Sequence, residues 1–132
     1  MRIYLTEMFA VSLLLTIVIE LVVMHILLWL PERHLKRRRR LNPRTVLLAI
    51  LVNILTNPLA VLLCWLGRMY LPSALYFPAQ IAVEAAVVAT EAYVYSCFAV
   101  KPEWGIKRPI LLSCAANGCS WLLGMIIMAL RR

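Results

Sequence analysis

The sequence predicts an all-α membrane protein, a bundle of four transmembrane helices forming a single integral membrane domain. Of its 132 residues, 64% are hydrophobic and only 15% are charged, which is far too apolar for a soluble domain. The chain contains four apolar stretches, each with about the 20 residues needed to cross a hydrocarbon core ~30 Å thick. Their approximate bounds are 8–30, 46–66, 76–98 and 109–130. Such continuous runs fit helices, because each spanning segment must satisfy its own backbone hydrogen bonds.

The first apolar stretch has the features of a retained helix rather than of a cleaved secretory signal. It is longer than the apolar core of about 7–15 residues that is typical of signal peptides. A cluster of basic residues, Lys36 to Arg40, follows it, and no small-residue cleavage site does. We therefore expect this segment to span the membrane in the working protein.

The distribution of Lys and Arg predicts the orientation in the membrane. The loops 31–45 and 99–108 carry seven and three of the 14 basic residues, and the opposite face carries four. Because loops rich in Lys and Arg stay in the cytoplasm, both loops are predicted to be cytoplasmic and both termini outside. The expected location is a bacterial inner (cell) membrane.

The net charge of +8 follows mostly from this topology. Basic side chains beside a membrane gain about 1 kcal/mol each from anionic lipid. We therefore expect anionic headgroups to contact Arg37, Arg38, Arg39 and Arg40. Nucleic-acid binding is not expected, since so short a loop offers no fold to present these side chains.

The cysteines do not predict a disulfide framework or a cofactor site. None belongs to a C-x-x-C pair, and all four fall within or at the ends of spans: Cys64, Cys97, Cys114 and Cys119. Cysteines in such positions most often pack as small apolar residues. Soft-metal ligation by Cys97 and Cys114 is a minor alternative, and no cofactor is expected.

Acidic residues inside the apolar stretches are the main candidates for a functional site. Glu20, Glu84 and Glu91 lie well within spans, and Glu7 lies at an entrance. Carboxyl groups at this depth cost a few kcal/mol each, so they indicate function by default. Because no Lys or Arg lies inside a span to neutralise them, they must be protonated, share protons or hold a cation.

Amides and hydroxyls on all four spans are predicted to lie near the same depth. With the three acids, the predicted site for substrate or ion comprises Glu20, Glu84, Glu91, Asn53, Asn57, Asn117 and Ser120. On each span the polar residues follow one helical stripe, which should face the bundle interior because lipid offers no hydrogen bonds. The identity of any metal ion stays open.

An internal match suggests that the chain consists of two duplicated helical hairpins. A shift of 64 residues places Glu20 on Glu84, Asn53 on Asn117 and Thr56 on Ser120. Two such hairpins would run in the same direction and be related by an axis along the membrane normal. Duplication and chance remain alternatives at this stage.

Three functions are compatible with these features. The leading hypothesis is a small transporter or ion-coupled carrier, since carboxylate, amide and hydroxyl oxygens suit H⁺, another hard cation or a cationic solute. The second is a non-catalytic subunit or assembly factor that docks a membrane protein partner through its polar stripes. The third is an intramembrane lipid-modifying enzyme with paired Glu as acid and base. A homo-oligomer is expected, because four helices make a slim wall for a pore.

Overall fold

The structure, a computed structural model, describes residues 2–29 and 42–130, which form four α-helices and one 3-10 turn. The helices are α1 (Arg2–Trp29), α2 (Pro43–Tyr70), α3 (Ser73–Ala99) and α4 (Pro109–Leu130), and the turn is Pro102–Trp104. All four are long and apolar enough to cross a membrane. The shortest, α4, has 22 residues and so spans about 33 Å at 1.5 Å per residue. The prediction of an all-α, four-helix membrane bundle is confirmed.

One set of predictions lies outside the described residues. Of the predicted loop 31–45, the structure describes residues 42–45 alone. The proposed headgroup contacts of Arg37, Arg38, Arg39 and Arg40 therefore belong to a part of the chain that the structure does not describe.

Local sequence explains where α2 begins and ends. The Asn42 side chain accepts a hydrogen bond from the Arg44 amide at 3.1 Å, and Pro43 occupies the first turn, where no amide proton is needed. At the other end, Pro72 cannot continue the helix, and α3 begins at the next residue. Only two residues join α2 to α3, so these helices form a tight antiparallel hairpin.

The four helices pack in a closed ring in the order α1, α2, α3, α4, and α4 returns to α1. Helices that follow one another along the chain are therefore neighbours in space. Large apolar side chains cover the outer surface of the ring, among them Leu14, Leu55, Ile81 and Leu122. Such an outer surface suits a hydrocarbon solvent.

The two hairpins bury equivalent positions. On α2 the buried residues include Leu48, Ala49, Val52 and Asn53, and on α4 they are the residues 64 positions later, Leu112, Ser113, Ala116 and Asn117. The first helices match at a different spacing. Glu20 and Met24 of α1 are 0% exposed, and so are Glu91 and Tyr95 of α3, 71 positions later. The structure thus contains two similar two-helix units, and the segment that joins the two helices is shorter in the second unit.

One end of the bundle is tightly packed. We call it the loop end, because α1 finishes there, α2 begins there, and residues 100–108 join α3 to α4; the opposite end is the terminal end. The apolar core lies toward the loop end and consists of Met24, Leu48, Ala49, Val52, Tyr95, Ile106 and Leu112. The ring of Trp104 packs on Phe98 with centroids 4.4 Å apart. The loop end is therefore sealed by side chains from all four helices and from the 100–108 segment.

Polar contacts attach the 100–108 segment to the start of α2. The Asn42 side chain donates to the carbonyl of Glu103 at 2.5 Å, and the Thr45 hydroxyl donates to the carbonyl of Trp104. Arg44 and the Glu103 carboxylate form an exposed ion pair at 3.8 Å. Two of these three contacts therefore use backbone oxygens and do not depend on the Glu103 side chain.

This arrangement predicts unequal effects for two substitutions at the loop end. Glu103→Gln should change the free energy of unfolding by less than about 0.5 kcal/mol, because an exposed ion pair contributes little. Thr45→Val should cost about 1 kcal/mol, because it removes a hydroxyl from a buried position and leaves the Trp104 carbonyl without its donor. Unfolding in detergent micelles, followed by circular dichroism, measures both. A larger loss for Glu103→Gln would contradict this account of the segment.

Candidate functional site

A buried carboxyl–amide pair joins α1 to α2. The Asn53 side-chain nitrogen, Nδ2, donates to Glu20 Oε2 at 2.5 Å and to the Ala49 carbonyl of its own helix at 3.1 Å. Glu20 is 0% exposed and Asn53 is 1% exposed. Because a backbone carbonyl can only accept, the second bond identifies this atom as the nitrogen and fixes the orientation of the amide. The polar stripes of α1 and α2 thus meet inside the bundle.

A second pair of the same design joins α3 to α4. Asn117 Nδ2 donates to Glu91 Oε2 at 2.5 Å and to the Ser113 carbonyl at 3.1 Å. Again the asparagine bridges the carbonyl four residues earlier and a carboxyl group of the preceding helix. Repetition of both bonds in both hairpins is difficult to obtain by chance, and it supports an internal duplication.

Thr56 connects the two pairs. Its hydroxyl lies 3.0 Å from Glu91 Oε1 and 3.0 Å from the Val52 carbonyl. With the two carboxyl–amide pairs, this contact links α1–α2 and α3–α4 into one buried polar network, which we call the Glu–Asn network: Glu20, Asn53, Thr56, Glu91 and Asn117. Thr56 is not among the predicted site residues, and only the structure brings it against a carboxyl group.

The acid that the structure pairs with Asn117 is Glu91, whereas the 64-residue match had placed Glu20 on Glu84. In the pairs, 33 residues separate Glu20 from Asn53 and 26 separate Glu91 from Asn117. Glu84 is half-buried and lies two turns nearer the terminal end, about 10 Å from the level of Glu91. It remains close enough to Glu91 for electrostatic repulsion but is not part of either pair.

The remaining predicted site residues lie on the terminal side of the network. Asn57 donates to the Thr16 hydroxyl at 2.9 Å and accepts from Ser12 at 3.4 Å. These three side chains form a polar ladder between α1 and α2 that leads from Glu20 toward the terminal end. Ser120 is half-buried and donates to the Asn117 carbonyl of its own helix at 3.0 Å.

The two ends of the network therefore differ in packing. Toward the loop end, Met24 and Tyr95 are each 0% exposed and close the interior directly below the two acids. Toward the terminal end, the polar side chains of Thr16, Asn57, Glu84 and Ser120 are only half-buried. The packing around the network is therefore tighter toward the loop end than toward the terminal end.

No cation within the described spans balances the buried acids. The ion pair described, Arg44 with Glu103, lies at the loop end and is exposed. Glu20 and Glu91 are close enough for their charges to repel each other. Two ionised carboxylates would place two uncompensated charges inside the bundle, which is costly at this depth. The geometry therefore favours occupancy of the network by at least one proton or cation.

Four buried polar atoms have no hydrogen-bond partner among the described residues. They are Glu20 Oε1, Asn53 Oδ1, the Tyr95 hydroxyl and Trp121 Nε1. Buried polar atoms are nearly always paired, so each of these calls for an explanation. Two of the four belong to the Glu20–Asn53 pair, and Tyr95 lies within electrostatic range of both acids.

The network does not resemble a metal centre. In residues 2–29 and 42–130 no group of three His, Cys, Asp or Glu side chains could hold a metal ion. The four cysteines are free, and three of them are exposed on the outer surface.

No family model, curated protein or solved structure matches this chain. The function must therefore be argued from the chemistry of the site.

Proposed function

We propose that the protein is a small membrane carrier whose transport is coupled to a proton or another small cation bound at the Glu–Asn network. The observation that carries this proposal is the pair of 0%-exposed carboxyl groups, each bonded to an asparagine of the next helix and unaccompanied by a cation. Buried acids of this kind are costly and are typical of ion and proton pathways. Carboxyl, amide and hydroxyl oxygens also match the preferences of hard cations.

The unequal ends of the bundle support a carrier rather than an open channel. A carrier exposes its site to one side of the membrane at a time, and the packing around this network is tighter at the loop end than at the terminal end. In the orientation predicted from the basic loops, the terminal end faces outward from a bacterial inner membrane. The structure would then correspond to an outward-facing state, and anionic headgroups would lie beside Arg37–Arg40.

Release to the opposite side requires the loop end to open. The contacts that would have to separate are those of Tyr95 with the apolar core and those of Asn42 and Thr45 with the 100–108 segment. Two hairpins of equivalent design are suited to such a rocking motion, because one hairpin can tilt against the other about the site. A homo-oligomer would supply the additional wall that four helices lack.

Ion flux in reconstituted vesicles tests the proposal. Proteoliposomes that contain a pH-sensitive or Na⁺-sensitive dye are given a gradient of H⁺ or Na⁺, alone and with a panel of organic cations. We expect flux in the wild type and a fall to the rate of protein-free liposomes for the double variant Glu20→Gln, Glu91→Gln. Glu7→Gln is the matched control, because Glu7 is exposed on the same helix as Glu20. Wild-type flux in the double variant, or no flux under any gradient, would contradict the proposal.

One observation favours a second candidate, a subunit that docks a partner helix. Glu84 is half-buried on the open terminal side, where an intramembrane Lys or Arg of another protein could reach it. This candidate predicts a co-purifying membrane protein that is lost in Glu84→Gln but retained in the Glu7→Gln control. A stable homo-oligomer with no other component would favour the carrier.

A further inference from the structure

The two carboxyl–amide pairs differ at the second oxygen of the carboxyl group. In the second hairpin both oxygens of Glu91 have a hydrogen-bond partner, the Thr56 hydroxyl at Oε1 and Asn117 Nδ2 at Oε2. In the first hairpin Asn53 serves Oε2 of Glu20, and Oε1 has no partner. The residue equivalent to Thr56 is Ser120, 64 positions later, and the bond described for its hydroxyl is to the Asn117 carbonyl of its own helix. Among the described residues, Glu20 Oε1 thus has no counterpart to the Thr56 hydroxyl that lies beside Glu91 Oε1.

A second buried acceptor of the Glu20–Asn53 pair also has no partner among the described residues. Both hydrogens of Asn53 Nδ2 are used, by Glu20 Oε2 and by the Ala49 carbonyl. Asn53 Oδ1 is therefore left as a buried acceptor without a donor. Asn53 Oδ1 and Glu20 Oε1 belong to an amide and a carboxyl group that already share one hydrogen bond, from Asn53 Nδ2 to Glu20 Oε2. One hydrogen carried by Oε1 and directed at Oδ1 would complete a two-bond carboxylic acid–amide pair.

We propose that a single exchangeable proton binds at Glu20 Oε1 and is donated to Asn53 Oδ1, and that Glu20 is the proton-carrying residue of the site. The inference rests on the proposed carrier function and names its ligand. Binding converts the Glu20 carboxylate to the acid by forming one O–H bond, and release of the proton restores the carboxylate. No other bond changes. Asn53 acts as the positioning residue, because it holds the carboxyl group and accepts the proton's hydrogen bond.

The groups that face Glu20 favour this role. From α3 the titratable neighbours are Glu91 and Tyr95. From α2 it is faced by Asn53, and the network residue of α4 is Asn117; neither amide titrates. No Lys or Arg lies within the four apolar stretches, and His25, on α1 itself, is exposed.

A polar ladder leads from Glu20 toward the terminal end. It consists of Thr16, Asn57 and Ser12 and begins one helical turn above Glu20. On the loop side, Met24 and Tyr95 block the way. Proton exchange in this state should therefore take place with the terminal side.

Infrared spectroscopy of the full chain in lipid vesicles tests the proton site directly. The C=O stretch of a protonated carboxyl group is recorded as the pH is raised, with pH alone as the probe. The wild type should show a band that disappears with loss of about one proton per chain, and Glu20→Gln should lack it. Glu91→Gln should retain a titrating band, whose midpoint can shift because Glu91 belongs to the same network, and the exposed control Glu7→Gln should retain the band unchanged. Glu20→Asp should retain a titrating band with a shifted midpoint, which shows that the site still folds.

Three results would overturn the proton assignment. The first is a wild type without a titrating band, and the second is a full band in Glu20→Gln together with its loss in Glu91→Gln. The third is loss of the band on addition of Na⁺ at constant pH, which would make this a metal-cation site. Flux that persists in Glu20→Gln would refute the assignment of the proton to Glu20 but would be consistent with the proposed carrier function. A titrating Glu20 in a protein without flux would refute the carrier alone.

Discussion

Tyr95→Ala should be the most destabilising single substitution in the bundle, with a loss of about 3 kcal/mol in the free energy of unfolding. Tyr95 is 0% exposed and is the largest side chain of the core that seals the loop end. Its removal leaves a cavity whose lining loses dispersion contacts, a cost that does not depend on whether the outer solvent is lipid or water. Equilibrium unfolding in mixed micelles by added denaturing detergent provides the measurement.

Tyr93 supplies a matched control on the same helix. It is 72% exposed on the outer surface, and Tyr93→Ala should stay within about 0.5 kcal/mol of the wild type. Tyr95→Phe separates the ring from the hydroxyl. Because the hydroxyl has no partner, its loss should be neutral or stabilising by up to about 1 kcal/mol. Equal losses for Tyr95→Ala and Tyr93→Ala would show that the loop end is not the sealed end.

The same substitution has a functional consequence. If Tyr95 separates the Glu–Asn network from the loop side, Tyr95→Ala should let protons cross vesicle membranes in both directions without coupling, whereas Tyr95→Phe should keep the barrier. The pH-dye assay that tests the carrier measures this leak. If Tyr95→Ala causes no proton leak, residues other than Tyr95 form the barrier.

Asn53→Leu should be more destabilising than Asn117→Leu, although the two asparagines make equivalent bonds. After Asn117→Leu, Glu91 still has Thr56 as a donor, whereas after Asn53→Leu no donor to Glu20 remains among the described residues. A buried acid that loses its last hydrogen bond bears the full desolvation cost. We expect losses of about 2–3 kcal/mol for Asn53→Leu and about 1–2 kcal/mol for Asn117→Leu.

A double-mutant cycle checks that these costs arise from the carboxyl–amide pairs. In Glu20→Leu, Asn53→Leu both partners are apolar, and most of the loss caused by Asn53→Leu should be recovered. Asn57→Leu, at a half-buried position above the network, should cost less than about 1 kcal/mol. Additive effects in the cycle, or equal losses for the two asparagines, would refute the asymmetry between Glu20 and Glu91.

The two hairpins match each other at two different offsets, of which the sequence indicated one. The shift of 64 residues relates α2 to α4 in the structure, where buried positions such as Val52 and Ala116 coincide. For α1 and α3 the structure relates Glu20 to Glu91, because the second connection is seven residues shorter between the paired Glu and Asn. A single offset cannot represent two copies with loops of different length.

The sequence by itself determined the number of spans and the class of fold, because a hydrocarbon solvent imposes continuous apolar runs and makes every polar interruption conspicuous. It also indicated which helix face each polar stripe occupies, through the 3.6-residue period. Only the tertiary structure decided between Glu84 and Glu91 and revealed that Glu20 lacks a second donor. Glu84 and Glu91 are seven residues apart on α3 and so lie on the same stripe, two turns from each other. The axial register that places Glu91 beside Asn117 is set by packing between helices and by the length of the connecting segment. Helical periodicity contains no information about either.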